Sequence, residues 1–169
     1  MSVLPILKID DKKEESFLRK KTKTVDIDNL NKKEMRDLIK KMRATMRDAD
    51  GVGLSANQIG LDMSLFIAEP PIDETGTKPK FYVIINPEIV KKSGELDVMD
   101  EGCLSVPERF GPVERADKIT ISGFDQNGKK IKIKAWGFLA RIFQHEIDHL
   151  NGKLFIDHAK KIRKRDKDK

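Results

Sequence analysis

The stretch GFLARIFQHEIDHL, Gly137 to Leu150, constrains the fold of this chain more than any other. Placed on a helical wheel at about 100° per residue, Leu139, Phe143, Ile147 and Leu150 gather on one side, and His145 and His149 gather on another. A helix with that division buries its apolar side, so it is predicted to pack at the centre of the molecule. Asn151-Gly152, suited to a left-handed cap, should end it, with a short extended or turn segment at Leu154 to Ile156 and a final charged helix beyond.

His145-Glu146-Ile147-Asp148-His149 reads HExxH. Residues four apart stand one above the other on a helix face, so the two imidazoles can share one metal ion, and Glu146 lies close enough to reach a water on that ion without becoming a ligand. Catalytic metal sites commonly combine three protein ligands with an open position, so a third donor is needed. Cys103, in Glu101-Gly102-Cys103-Leu104-Ser105, is the candidate. It is the sole cysteine, so it has no partner within the chain for a disulfide. Asp148 is expected to make a structural hydrogen bond, and His158 to stay exposed rather than become a fourth ligand.

Elsewhere the pattern mixes helix and strand. Leu30 to Asp48 repeats apolar residues at threes and fours behind a potential Asn31 cap, which predicts a helix. GVGLSANQIG reads as a loop or extended segment where backbone can approach a neighbour closely. Met63 to Ala68 and Phe81 to Ile85 read as strands separated by an exposed loop, EPPIDETGTKPK. Lys118 to Phe124 and Lys130 to Lys134 alternate apolar and polar residues around an Asn127-Gly128 turn, which predicts an antiparallel hairpin.

Length, 169 residues, fits one domain over residues 1–159, followed by a charged, flexible tail over 160–169. With 37% charged residues and no apolar run of the ~18 residues that a membrane span needs, no membrane association is expected. The N-terminus lacks the features of a secretory signal, and with a free thiol this predicts a cytoplasmic location. Net charge is +6, much of it in the KKIRKRDKDK tail, which could meet the ribosome surface. DNA is not an expected partner.

Three segments together resemble the peptide deformylase family: GVGLSANQ from Gly51 to Gln58, EGCLS from Glu101 to Ser105 and QHEIDH from Gln144 to His149. The likeness extends through Val113-Glu114-Arg115, the hairpin and HLNGKLF. It implies an α+β fold with antiparallel sheets packed around the central HExxH helix. It further implies removal of the formyl group from the N-terminal methionine of new polypeptides, releasing formate. Cys103, His145 and His149 would hold one divalent ion, ferrous iron by family resemblance, with zinc as a substitute. Glu146 would carry the proton, and the Gln58 side-chain amide with the Leu104 backbone N–H would form the oxyanion hole. Backbone near Gly53 and Gly102 would bind extended peptide, and Val52, Ile142, Phe110 and Arg141 would surround the methionine. Ser55 departs from the alanine usual in the first signature, adding a hydroxyl that could form a hydrogen bond.

Two rival readings compete with this one. An HExxH metallopeptidase would normally recruit a third ligand downstream, which the upstream Cys103 argues against. A basic ribosome- or RNA-associated protein with a vestigial site is disfavoured by the presence of Glu146, Gln58 and all three candidate ligands.

Overall fold

The computed structural model describes residues 2–72 and 80–165. Two helices precede the sheets, α1 (Lys12–Leu18) and α2 (Lys32–Asp48). Strands β1 (Gly53–Ser55), β2 (Leu65–Ala68), β3 (Tyr82–Lys92), β4 (Leu96–Cys103), β5 (Val106–Ala116), β6 (Lys118–Phe124) and β7 (Lys130–Trp136) lead into α3 (Gly137–Leu150), and β8 (Arg163–Lys164) follows. Short 3₁₀ turns lie at Ala56–Ile59 and Phe155–Asp157. All sheet pairings are antiparallel, in a five-stranded sheet ordered β1-β2-β3-β6-β7 and a three-stranded sheet ordered β4-β5-β8. The fold is α+β, as the sequence implied.

Strand β2 shows why α3 is central. Its four residues are all fully buried, yet consecutive side chains of a strand point to opposite faces. Phe66 and Ala68 join the cluster built around Ala140, Ile142, Phe143, Ile147 and Leu150 of α3. Leu65 and Ile67 join Met35, Ile39, Met42 and Met46 of α2. The large sheet is therefore covered by α3 on one face and α2 on the other. A third cluster, Val106, Val113, Leu154 and Phe155, fastens the three-stranded sheet to the chain that leaves α3.

Several predicted elements appear with sharpened limits. The Asn31 side chain caps α2 by accepting from Glu34 N at 3.2 Å. The β6–β7 hairpin turns at Gly128, where φ is +79°. The predicted strand at Phe81 instead continues to Lys92, past Asn86-Pro87, through a shift in pairing register. Asn86 adopts φ +52° there, and its side chain pairs with Val25 N and Val25 O, each at 2.9 Å, which ties the irregular stretch of β3 to the segment before α2.

Three expectations need correction or restriction. No charged helix follows α3 among the described residues; the chain makes a 3₁₀ turn and then β8. Of the tail expected from Lys160, the last described residues lie along β5, with Arg163 opposite Phe110, Lys164 opposite Arg109, and Arg165 N donating to Glu108 O at 2.7 Å. Free backbone groups on the edge of β5 explain that pairing, which charge composition does not reveal. Residues 166–169, and residues 73–79 of the predicted loop, lie outside the described residues. Among the described residues no helix is long and apolar enough to cross a membrane.

Candidate metal centre

Helix α3 enters the site from β7 and stops at a glycine. Gly152 has φ +75°, and a Cβ on it would collide with the Arg19 carbonyl. Carbonyls in the last turn of a helix lack helical partners, and here the chain supplies them. The Asn57 Nδ2 donates to His149 O at 2.6 Å, while Thr22 N and Thr22 Oγ1 both donate to Leu150 O, at 2.8 and 3.0 Å. These bonds fix the end of α3 that carries His149.

Cys103 arrives at the end of β4, where the pairing with β5 breaks register. Its Sγ lies 3.1 Å from His149 Nε2, which lies 3.2 Å from His145 Nε2, and the three donor atoms all fall within 4.8 Å of one another. Two ring nitrogens facing each other at that distance cannot both carry a proton between them. A thiol and two imidazoles converging this closely fit a single divalent cation of the zinc or iron kind.

Glu101, one pleat before Cys103, organises the surroundings. It is buried and accepts from Arg115 Nε and Nη2 at 2.9 Å each, from Arg141 Nη1 at 2.6 Å and from His145 Nδ1 at 2.8 Å. Burial alone would raise its pKa, but Arg115 and His145 together hold it well below the usual carboxylate range. An ionised Glu101 can only accept, so a proton of His145 sits on Nδ1 and Nε2 is the ring nitrogen turned toward Cys103 and His149. Arg115 also reaches Asp148 Oδ2 at 2.6 Å, which gives Asp148 its structural bond. His158 is partly exposed and lies 3.1 Å from the same carboxylate oxygen.

Glu146 is almost wholly buried, and its Oε2 has no hydrogen-bond partner. Burial pushes its carboxyl up to about 7, against the pull of His145. Gly53 makes room for it, since a Cβ at that position would lie 2.6 Å from Glu146 Oε1. Gln58 Nε2 faces the same place, 3.6 Å from Cys103 Sγ and 3.0 Å from Ser105 Oγ.

These groups border a cavity of about 510 Å³. Val52, Gly53, Gln58, Gly102, Cys103, Leu104, Phe110, Arg141, Ile142, His145 and Glu146 all line it. His149 lies behind them, almost wholly buried. Arg141 differs from its expected part, for its guanidinium is engaged by Glu101, by Val113 O and by Asp97 O, the last two at 2.9 Å. It lines the cavity with its guanidinium held by these partners. The supporting roles of Glu101, Arg115 and Asn57, and the presence of Phe138 on the rim, were not read from the sequence. Of these, Glu101 carried a signal, being a carboxylate two residues before a candidate ligand.

An α+β scaffold holding an HExxH helix against a cysteine donor, with a buried carboxylate beside an open cavity, defines a hydrolase of the metal-dependent class. The family described as polypeptide deformylase matches residues 3–165. A peptide deformylase from Halothermothrix orenii is 46% identical over 96% of this chain and 97% of its own length. One from Clostridium perfringens, peptide deformylase 1, is 45% identical over 86% of this chain and 92% of its own. Among solved structures, a Met-Ala-Ser-bound class I type b peptide deformylase from Acinetobacter baumannii superposes with TM-score 0.84 at 34% identity, covering 93% of this chain and 98% of that one. A peptide deformylase from Synechococcus elongatus in complex with actinonin gives 0.80 at 37% identity, covering 94% and 79%. The chain belongs to the polypeptide deformylase family, and it removes the N-formyl group from nascent polypeptides.

Proposed function

We propose that Cys103, His145 and His149 hold one divalent ion, that Glu146 carries the proton of the reaction, and that Gln58 with the Leu104 N–H binds the developing oxyanion. The observation that carries this reading is the convergence of the three donor atoms within 4.8 Å beside the unpartnered Glu146 Oε2. When bound, the ion supplies Lewis acidity, polarising the formyl carbonyl and making water acidic enough to react near neutral pH. Glu146 accepts the proton of the attacking water and delivers it to the leaving amine nitrogen. Gln58 Nε2 and the Leu104 N–H meet negative charge as it forms on the formyl oxygen.

Substrate enters along the cavity. Val52, Ile142 and Phe110 supply an apolar lining suited to a methionine side chain, and backbone at Gly53 and Gly102 suits an extended peptide. The Met-Ala-Ser peptide held by the Acinetobacter baumannii protein supports that direction of reading. Ferrous iron is the ion we assign, with zinc accepted by the same ligands. We place the reaction in the cytoplasm, where nascent chains carry the formyl group, within a catalytic domain spanning residues 1–159. The basic segment from Lys160 onward would contact ribosomal RNA.

The test is anaerobic loading with iron(II) or zinc, followed by metal analysis and formate release from an N-formylmethionyl peptide. One ion per chain with turnover supports the assignment, and turnover independent of bound metal rejects it. Deleting residues from Lys160 should weaken a salt-sensitive association with ribosomes; binding left intact would remove the tail from the scheme.

A further inference from the structure

Ser55 is fully buried, three residues before the proposed oxyanion donor Gln58. Its backbone N–H donates to Gln58 Oε1 at 3.0 Å, and its hydroxyl lies 3.0 Å from the same oxygen and 2.7 Å from Asn57 Oδ1. A backbone N–H can only donate, so the oxygen of the Gln58 amide must occupy that side. The amide nitrogen is thereby turned toward Ser105 and Cys103. Asn57, the other partner of the hydroxyl, donates through Nδ2 to the carbonyl of His149. One hydroxyl thus touches both the oxyanion donor and the residue that caps the ligand-bearing end of α3.

We propose that Ser55 is a positioning residue, whose single hydroxyl proton, shared between Asn57 Oδ1 and Gln58 Oε1, adds to the backbone N–H in holding the Gln58 amide oxygen on that side and so keeps the Gln58 N–H in register with the metal donors. It touches no reacting atom and acts only through Gln58. The proposal rests on the assignment of Gln58 as an oxyanion donor. Alanine keeps the backbone N–H bond but removes the second anchor, so Ser55→Ala should fold and lose only the restraint.

The experiment is a double-mutant cycle on the metal-loaded enzyme. Ser55→Ala should lower kcat about fivefold, the effect of one net hydrogen bond, with KM and metal content unchanged. In a Gln58→Ala background the same substitution should change kcat less than about twofold. The zinc-loaded protein offers a readout apart from turnover: the side-chain amide protons of Gln58 should exchange faster with water in Ser55→Ala. Full kcat in Ser55→Ala, an equal loss in both backgrounds, or unchanged amide exchange would each overturn the role of Ser55. Full turnover in Gln58→Ala would overturn the Gln58 assignment itself, and the role of Ser55 with it.

Discussion

Glu146 and Cys103 line one cavity yet are proposed to do separable work, and single substitutions should separate them. Glu146→Gln keeps the size of the side chain and removes its capacity to take a proton. Turnover should fall at least about a hundredfold while the bound metal, measured by elemental analysis, stays at the wild-type level. Cys103→Ala should instead release the metal at equilibrium. Gly53 yields a prediction that is purely steric. A methyl group there would lie 2.6 Å from Glu146 Oε1, so Gly53→Ala should displace the carboxylate and lower kcat about a hundredfold with metal retained. HExxH spacing made His145, Glu146 and His149 legible in the sequence, because four residues is one helical turn. Nothing local could reveal that Gly53, more than ninety positions earlier, clears space for Glu146.

At the level of elements, α3 and the β6–β7 hairpin were readable because each has a strict period and a turn residue to close it. Strand β4 was not. Most of Leu96–Cys103 is exposed, so its sequence lacks the alternation that a half-buried strand shows, and its pairing is held by the backbone of β5. Helix α1 was missed for a similar reason, since only Leu18 of its seven residues is buried, although Asp11 caps it through Lys13 N and Glu14 N. Glu101 joins β4, β5 and α3 into one frame through Arg115, Arg141 and His145. Removing it strips the buried Arg141 guanidinium of its close carboxylate and leaves the buried Arg115 with Asp148 alone, so Glu101→Ala should cost about 3–5 kcal/mol in denaturant unfolding. It should also weaken metal binding about ten- to a hundredfold, through loss of the partner that orients His145.

Over the whole molecule, the response to acid follows from carboxylates held ionised by arginine. Burial tends to raise the Glu69 pKa, but Arg43 and Arg47, at 2.7 and 2.6 Å, bring it below the ordinary value. Glu101 is depressed in the same sense. A carboxylate with a lowered folded-state pKa contributes stability that is fully present above its unfolded value, about 4.3 for glutamate, and is lost as pH falls through the folded value. Stability should therefore decline below about pH 5, and Glu69→Gln should flatten part of that decline in urea titrations run at several pH values. Equal slopes in both proteins would show that the Arg43–Glu69–Arg47 pairing does not contribute. Metal binding and formate release remain the larger matter, and one comparison addresses them together. Protein loaded anaerobically with iron(II) is given an N-formylmethionyl peptide, its N-acetyl counterpart and a peptide with internal amides only, in parallel with Cys103→Ala. Formate is expected from the first peptide alone, with one ion per chain, and from none in the variant; formate release undiminished by Cys103→Ala would contradict a reaction built on that ligand set.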